Sequence, residues 1–169
     1  SALSIEQKKT ILQEIIEGMD KRRDEFAQII SEEMGAPIKV ARGAQFSSGK
    51  VHFVNTLKVI DDFNFSEVHD NITLNKLPIG PVGMITPWNW PLNQMCTKIA
   101  SAIAAGTSFV LKPSEITPGA AQLFAEIVDK TSMPKGMFNL IHGYGATVGK
   151  EMSQHNDLEM ISFTGSTRA

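Results

Sequence analysis

From Gly80 onward the chain alternates short apolar runs with longer amphipathic ones, and this feature constrains its fold most. The apolar runs are Val82 to Thr86, Ser108 to Leu111, Met137 to Ile141 and Met160 to Phe163. Each is too short for a buried helix and is expected to be a strand. Between them, Leu92 to Ala105, Pro118 to Thr131 and Thr147 to Gln154 carry helical spacing. Near-continuous apolar strands separated by helices are the pattern of a parallel sheet covered on both faces. Three successive crossover units predict a doubly wound, Rossmann-like α/β core.

The segment before Gly80 reads differently. Ser4 followed by Gln7 forms a capping box, in which each side chain satisfies a free backbone donor of the other residue. The helix this starts carries Ile11, Leu12, Ile15, Ile16 and Met19 on one stripe, which resumes after the charged stretch at Phe26, Ile29, Ile30 and Met34. Gly35 and Pro37 stop it. A second helical pattern runs through Val40, Ala44, Val51, Val54, Leu57 and Ile60, interrupted by Gly43 and Gly49. From Asn71 to Leu77 the spacing turns to alternation, as in an exposed strand or hairpin arm. The expected division is residues 1–70 as N-terminal helices, 71–79 as a hairpin strand and 80–169 as the sheet domain.

Composition removes several function classes. The chain's 169 residues, 42% of them apolar and 20% charged, suffice for one packed core. A net charge of −2, with no basic run longer than Lys21 to Arg23, leaves no electrostatic footprint for nucleic acid. Ile99 to Ala105 is the longest mostly apolar stretch and falls far short of a membrane span. The lone Cys96 rules out an internal disulfide, and a reducing, cytoplasmic compartment is expected. With no base nearby in sequence, Cys96 reads as a buried core residue. His52, His69, His142 and His155 are scattered without metal-ligand spacing, so no metal is expected.

Ligands of doubly wound sheets bind beyond the carboxyl ends of the strands, and each such end is unusual here. After the first strand come Thr86, Pro87, Trp88, Asn89, Trp90 and Pro91. Two prolines and two tryptophans restrict and wall off one amide, which suits donation to a developing oxyanion or, alternatively, a packed turn satisfied by its own backbone. After the second come Lys112, Pro113, Ser114 and Glu115. Lys112 and Glu115 could bridge two ribose hydroxyls, the carboxylate repelling a 2′-phosphate, or simply form a solvated ion pair. After the third come Gly143, Tyr144 and Gly145. After the fourth, Thr164, Gly165, Ser166 and Thr167 supply either a phosphate cradle at a helix start or an ordinary N-cap.

Taken in order, the runs Gly80 to Leu92, Ala104 to Glu115, Pro134 to Asn139 and Ser162 to Thr167 resemble the NAD(P)-dependent aldehyde dehydrogenase superfamily. The Asp24 to Pro37 portion resembles the helix pair that precedes the cofactor domain in that family. The resemblance implies that Asn89 helps form the oxyanion hole for thiohemiacetal and thioester intermediates. It places Ile85, Thr86, Pro87 and Trp88 along the cofactor, and Lys112, Ser114 and Glu115 at the adenosine ribose, favouring NAD over NADP. Gly145 and Ala146 would lie beside the adenine, and Phe163, Gly165 and Ser166 at the nicotinamide side and pyrophosphate.

The same resemblance puts the nucleophilic cysteine and the glutamate base in segments beyond Ala169, and Cys96 does not match the nucleophile. The chain thus resembles an internal piece of a longer enzyme that oxidises an aldehyde to a carboxylic acid. By itself it is expected to be inactive. Residues 71–77 would belong to an association hairpin, implying a homodimer or homotetramer. A binding or scaffold protein on the same fold, or a relative that acylates CoA or reduces an acyl phosphate, are the alternatives.

Overall fold

The computed structural model describes residues 3–167. Helix α1 (Ile5–Lys21) begins at the expected capping box: the Ser4 hydroxyl accepts from the Gln7 backbone N–H at 3.2 Å, and Gln7 Oε1 accepts from the Ser4 N–H at 2.9 Å. Its stripe Ile11, Leu12, Ile15, Ile16 and Met19 is buried as predicted. The chain breaks at Arg22, whose guanidinium grips Glu25 and reaches Glu126 at 2.7 Å, before α2 (Arg23–Met34). Gly35, at φ 76, closes α2 in the left-handed region that a side chain would disfavour.

The second helical pattern forms, with Ile60 buried and Val54 and Leu57 packed against the core as expected, but its first half takes a different phase. A short turn α3 (Ile38–Val40) leads through a π-helical turn, Ala41–Gln45, into α4 (Phe46–Val59). The π turn holds one residue more than an α turn and so rotates α4 about its axis. Ala41, Gln45, Phe46, Gly49 and Phe53 therefore face inward, while Val40, Ala44 and Val51, expected on the inner stripe, lie exposed.

Strands β1 (Ser66–His69) and β2 (Ile72–Asn75) form a separate antiparallel hairpin. Its two-residue turn uses Asp70 at φ 52 and Asn71, side chains that tolerate such backbone. Residues 66–69, read from the sequence as the end of the helical region, are thus the hairpin's first strand. The hairpin leaves Val68, Ile72 and Leu74 exposed.

The main sheet is fully parallel, with β3 (Val82–Ile85), β4 (Phe109–Lys112), β5 (Phe138–Leu140) and β6 (Met160–Phe163) in the order β5-β4-β3-β6. These lie within a residue or two of the predicted runs. Helices α5 (Pro91–Ala105) and α6 (Gly119–Val128) cover one face, and α1, α2 and α4 pack onto them. Met152 of α7 (Lys150–Gln154) lies over Gly83 beside Ile161, the opposite face from α5. The expected helix from Thr147 is shorter because its first turn is a second π-helical turn, Gly145–Gly149. This is the doubly wound, Rossmann-like fold with N-terminal helices that the sequence implies.

The core joins the two parts. Phe53 of α4 stacks on Phe124 of α6 at 5.8 Å between centroids, and Phe124 meets Phe138 of β5 edge-on at 5.9 Å. The Glu33 carboxylate of α2 accepts from the Gly119 N–H at 2.9 and 3.1 Å, capping α6. Lys8 of α1 donates to the Ala104 carbonyl at 2.8 Å, near the end of α5. No helix among the described residues is long and apolar enough to cross a membrane.

Candidate functional site

The strand order reverses at β3. From β3 the chain steps outward to β4 and β5, then returns to place β6 on the other side of β3. The loops leaving β3 and β6 therefore diverge, and the crevice between them is where such sheets take ligands. Register aligns the three strand ends. Ile85 is paired with Lys112 on one side and with Phe163 on the other. Beyond them, the Thr86 N–H donates to the Lys112 carbonyl at 3.2 Å, and the Thr164 N–H to the Ile85 carbonyl at 3.0 Å. Thr86 through Trp88, Lys112 through Glu115, and Phe163 through Ser166 thus share one rim.

Lys112 is not the solvated partner of a surface ion pair. It is only 2% exposed, and its ammonium donates to the Pro113 carbonyl at 2.8 Å and to Glu115 Oε2 at 3.3 Å. Glu115 lies exposed above it. A hydrogen bond from its own backbone N–H, then the charge of Lys112, hold the Glu115 carboxyl below the usual range, and the Gly145 N–H adds to this. The Ser114 hydroxyl accepts from the Ile116 N–H at 3.2 Å and so ties the turn internally. The result is an ionised acceptor held at the crevice edge by a buried cation, with Gly145 beside it. Gly145 and Ala146 are exposed in the π-helical turn, and at Gly149, its buried end, an added β-carbon would meet Ile85 and Lys112 at ordinary contact distance.

The loop after β3 turns at Trp88, Asn89 and Trp90 and enters α5 through Pro91, whose missing N–H costs nothing at a helix start. Asn89 is exposed, and no described residue hydrogen-bonds its side-chain amide. The expected tryptophan wall is open on this chain: Trp88 is 46% and Trp90 37% exposed. The packed-turn alternative does not describe a free amide of this kind. Gln45 Nε2 donates to the Asn89 carbonyl at 3.4 Å from beneath the loop.

After β6, the backbone at Gly165 runs against the Phe163 ring so closely that a β-carbon there would collide with it. Phe163, Gly165 and Ser166 are exposed toward the crevice rim. The helix expected to follow Thr167 lies outside the described residues.

Two side chains near the site escaped the sequence reading. Lys98, the one charged residue of α5, donates to Ser162 Oγ of β6 at 2.8 Å, and burial lowers its pKa. A single charge in an otherwise uncharged helix was the available signal. Gln45 carried none, because its inward direction comes from the π-helical turn. Cys96 is fully buried in α5, where burial pushes its thiol well up and makes it a poor nucleophile.

The sequence matches the model of the aldehyde dehydrogenase family over residues 1–169. The chain belongs to the aldehyde dehydrogenase family. It is 42% identical over 170 residues to 3-succinoylsemialdehyde-pyridine dehydrogenase of a Pseudomonas species, covering all of this chain and 36% of that protein. A crystal structure of aldehyde dehydrogenase from Bartonella henselae superposes with a TM-score of 0.94 at 48% identity, covering 98% of this chain and 36% of that one. Another, aldehyde dehydrogenase C of Pseudomonas syringae as a point mutant complexed with NAD+ and octanal, gives a TM-score of 0.96 at 43% identity, covering 98% and 34%. The chain spans about a third of the length of these aldehyde dehydrogenases.

Proposed function

We propose that the chain is the cofactor-binding part, with its N-terminal helices, of an NAD-dependent dehydrogenase that oxidises an aldehyde to a carboxylic acid. The observation that carries this reading is the shared rim at the sheet's switch point, where the buried Lys112 holds an ionised Glu115 beside Ile85 and Phe163. Family membership and the NAD+ complex of the P. syringae relative support it. Within this reading the helices up to α4 brace the site, β1 and β2 with the residues up to 79 form an association hairpin, and 80–169 hold the cofactor.

The residues present fit a dinucleotide. Glu115, with Lys112 and Ser114 fixing its turn, would accept from the adenosine ribose hydroxyls, and its charge disfavours a 2′-phosphate. NADP remains the lesser substrate on that ground. Gly145 and Ala146 would lie beside the adenine, whereas Ile85, Thr86, Pro87 and Trp88 would line the cofactor along the end of β3. Gly165, which leaves no room for a side chain against Phe163, would let backbone approach a pyrophosphate together with Ser166. When bound, NAD+ supplies the two-electron oxidant.

Asn89 does the chemistry that falls to this chain. Its free side-chain amide would donate to the oxyanion that forms when a cysteine thiolate adds to the aldehyde, and again when water adds to the thioester. The cysteine and the glutamate that activates the water belong, on this reading, to segments beyond residue 169. Cys96 cannot substitute for that nucleophile because it is buried and its thiol is held protonated. The chain alone would therefore turn over nothing. The free cysteine fits a cytoplasmic setting, and the exposed Val68, Ile72, Leu74 and Leu77 fit a homodimer or homotetramer joined through the hairpin.

The test is NADH formation by the full-length protein with short aliphatic, aromatic and amino aldehydes. Turnover that yields the carboxylic acid supports the proposal. Turnover only with CoA or phosphate present moves the assignment to an acyl-transferring relative, and NAD+ binding without turnover moves it to a binding protein.

A further inference from the structure

We propose that Gln45 is a positioning residue for Asn89, holding the oxyanion-donor loop from below; this rests on the oxyanion reading above. The inward direction of Gln45 comes from the π-helical turn Ala41–Gln45, a local departure from α geometry that is frequent near functional sites. Gln45 is only 1% exposed. Its Nε2 donates to the Asn89 carbonyl and to Met34 Sδ, both at 3.4 Å, while its Oε1 has no partner among the described residues. The Asn89 carbonyl can only accept, so it fixes which end of the amide faces the loop.

For stability alone this is a poor residue. A buried amide with two long bonds and an unpartnered oxygen is less favourable than an apolar side chain of the same shape. What the amide does supply is a fixed point for the loop. Two further residues of the same helical run reinforce it: Gly49 lets Leu92 pack against the α4 backbone, and His52 Nε2 bonds Asn93 Oδ1 at 2.8 Å. Gln45, Gly49 and His52 thereby hold residues 89, 92 and 93 from one side. Pro87 and Pro91 limit the backbone on either side of Asn89, so fixing its carbonyl also limits where its side chain can reach. An oxyanion donor must be in place before charge develops if it is to lower the barrier.

The experiment is a double-mutant cycle in the full-length enzyme, with Gln45→Met, Asn89→Ala and the pair, reading kcat, KM for aldehyde, NAD+ affinity and thermal midpoint. Gln45→Met is expected to keep or raise the midpoint, leave NAD+ affinity unchanged and lower kcat by about 3- to 10-fold, the worth of one ordinary hydrogen bond. In the Asn89→Ala background the same change is expected to do nothing further to kcat. Gln45→Val, which is smaller, repeats the comparison against overpacking. Wild-type kcat in both Gln45 variants, or a loss that persists in full without the Asn89 amide, overturns the inference. An Asn89→Ala enzyme with normal kcat removes the oxyanion reading and this inference with it.

Discussion

Gly49 and Gly43 sit six residues apart in one continuous helical run, yet adding a methyl group should move stability in opposite directions. A β-carbon at Gly49 would lie 2.6 Å from Leu92 Cγ, 3.1 Å from its Cδ2 and 3.2 Å from its carbonyl carbon. Ordinary carbon contacts are about 3.5 to 4.0 Å, so α4 and α5 must separate by roughly 1 Å. Leu92 is fully buried and has nowhere to turn. Overpacking of this kind costs about 1 to 3 kcal/mol, against about 1 kcal/mol gained by replacing glycine in a helix. Gly49→Ala is therefore expected to destabilise by about 1 kcal/mol. At Gly43 nothing lies within 4 Å of the added carbon, and only the gain of about 0.4 to 1 kcal/mol remains. Thermal midpoints of the two full-length variants, measured side by side, check this: Gly43→Ala should melt above wild type and Gly49→Ala below. A Gly49→Ala protein at least as stable as Gly43→Ala would refute the argument that α4 and α5 meet backbone to side chain at this point.

The structure carries four other expected outcomes. Phe124→Ala removes the ring that joins Phe53 to Phe138 and should destabilise by about 3 to 5 kcal/mol in denaturant titration; a loss below about 1 kcal/mol would contradict a shared core. Burial raises the Glu33 pKa, against the opposing Gly119 N–H, so the folded state binds that proton more tightly than the unfolded chain. Its stabilising contribution is complete below the usual carboxylate value and is lost as pH rises through the raised one, so Glu33→Gln should gain in midpoint relative to wild type as pH rises above the usual carboxylate value, and parallel curves would count against it. Glu33→Ala, which also loses the cap of α6, should cost about 1 kcal/mol. Glu115→Gln should weaken NADH binding about tenfold while narrowing the preference over NADPH; an unchanged ratio of the two affinities in a fluorescence titration would remove Glu115 from the ribose site.

The sheet was legible because strands buried on both faces need continuous apolar runs. Val82 to Ile85 is such a run in the sheet interior, whereas Met160 to Phe163 lies at the sheet edge with both ends exposed and showed through its apolar composition alone; the ends of both locate the rim directly. The capping box at Ser4 and Gln7 was equally plain, being a purely local exchange of hydrogen bonds. The phase of α4 was not, because the π-helical turn at Ala41–Gln45 is a tertiary compromise that moves Gln45 and Gly49 inward and turns Val51 out. Strand β1 also escaped notice, since Ser66, Glu67, Val68 and His69 carry no apolar alternation; it exists through pairing with β2 across the Asp70–Asn71 turn. At the site, the spacing of Lys112 and Glu115 was visible but the burial of Lys112 was not, because burial depends on what the π-helical turn before α7 lays over it. The contact of Lys98 with Ser162 joins residues 64 apart in sequence and left only its isolated charge as a trace.

The most direct test of the account is the kcat of Asn89→Ala in the full-length enzyme beside its NAD+ affinity. A fall of roughly 10² to 10³ in kcat is expected, the effect of removing one oxyanion donor, with NAD+ affinity unchanged. A variant that keeps kcat within about threefold of wild type, far short of that factor, would contradict the claim that this chain's own chemistry rests on the Asn89 amide.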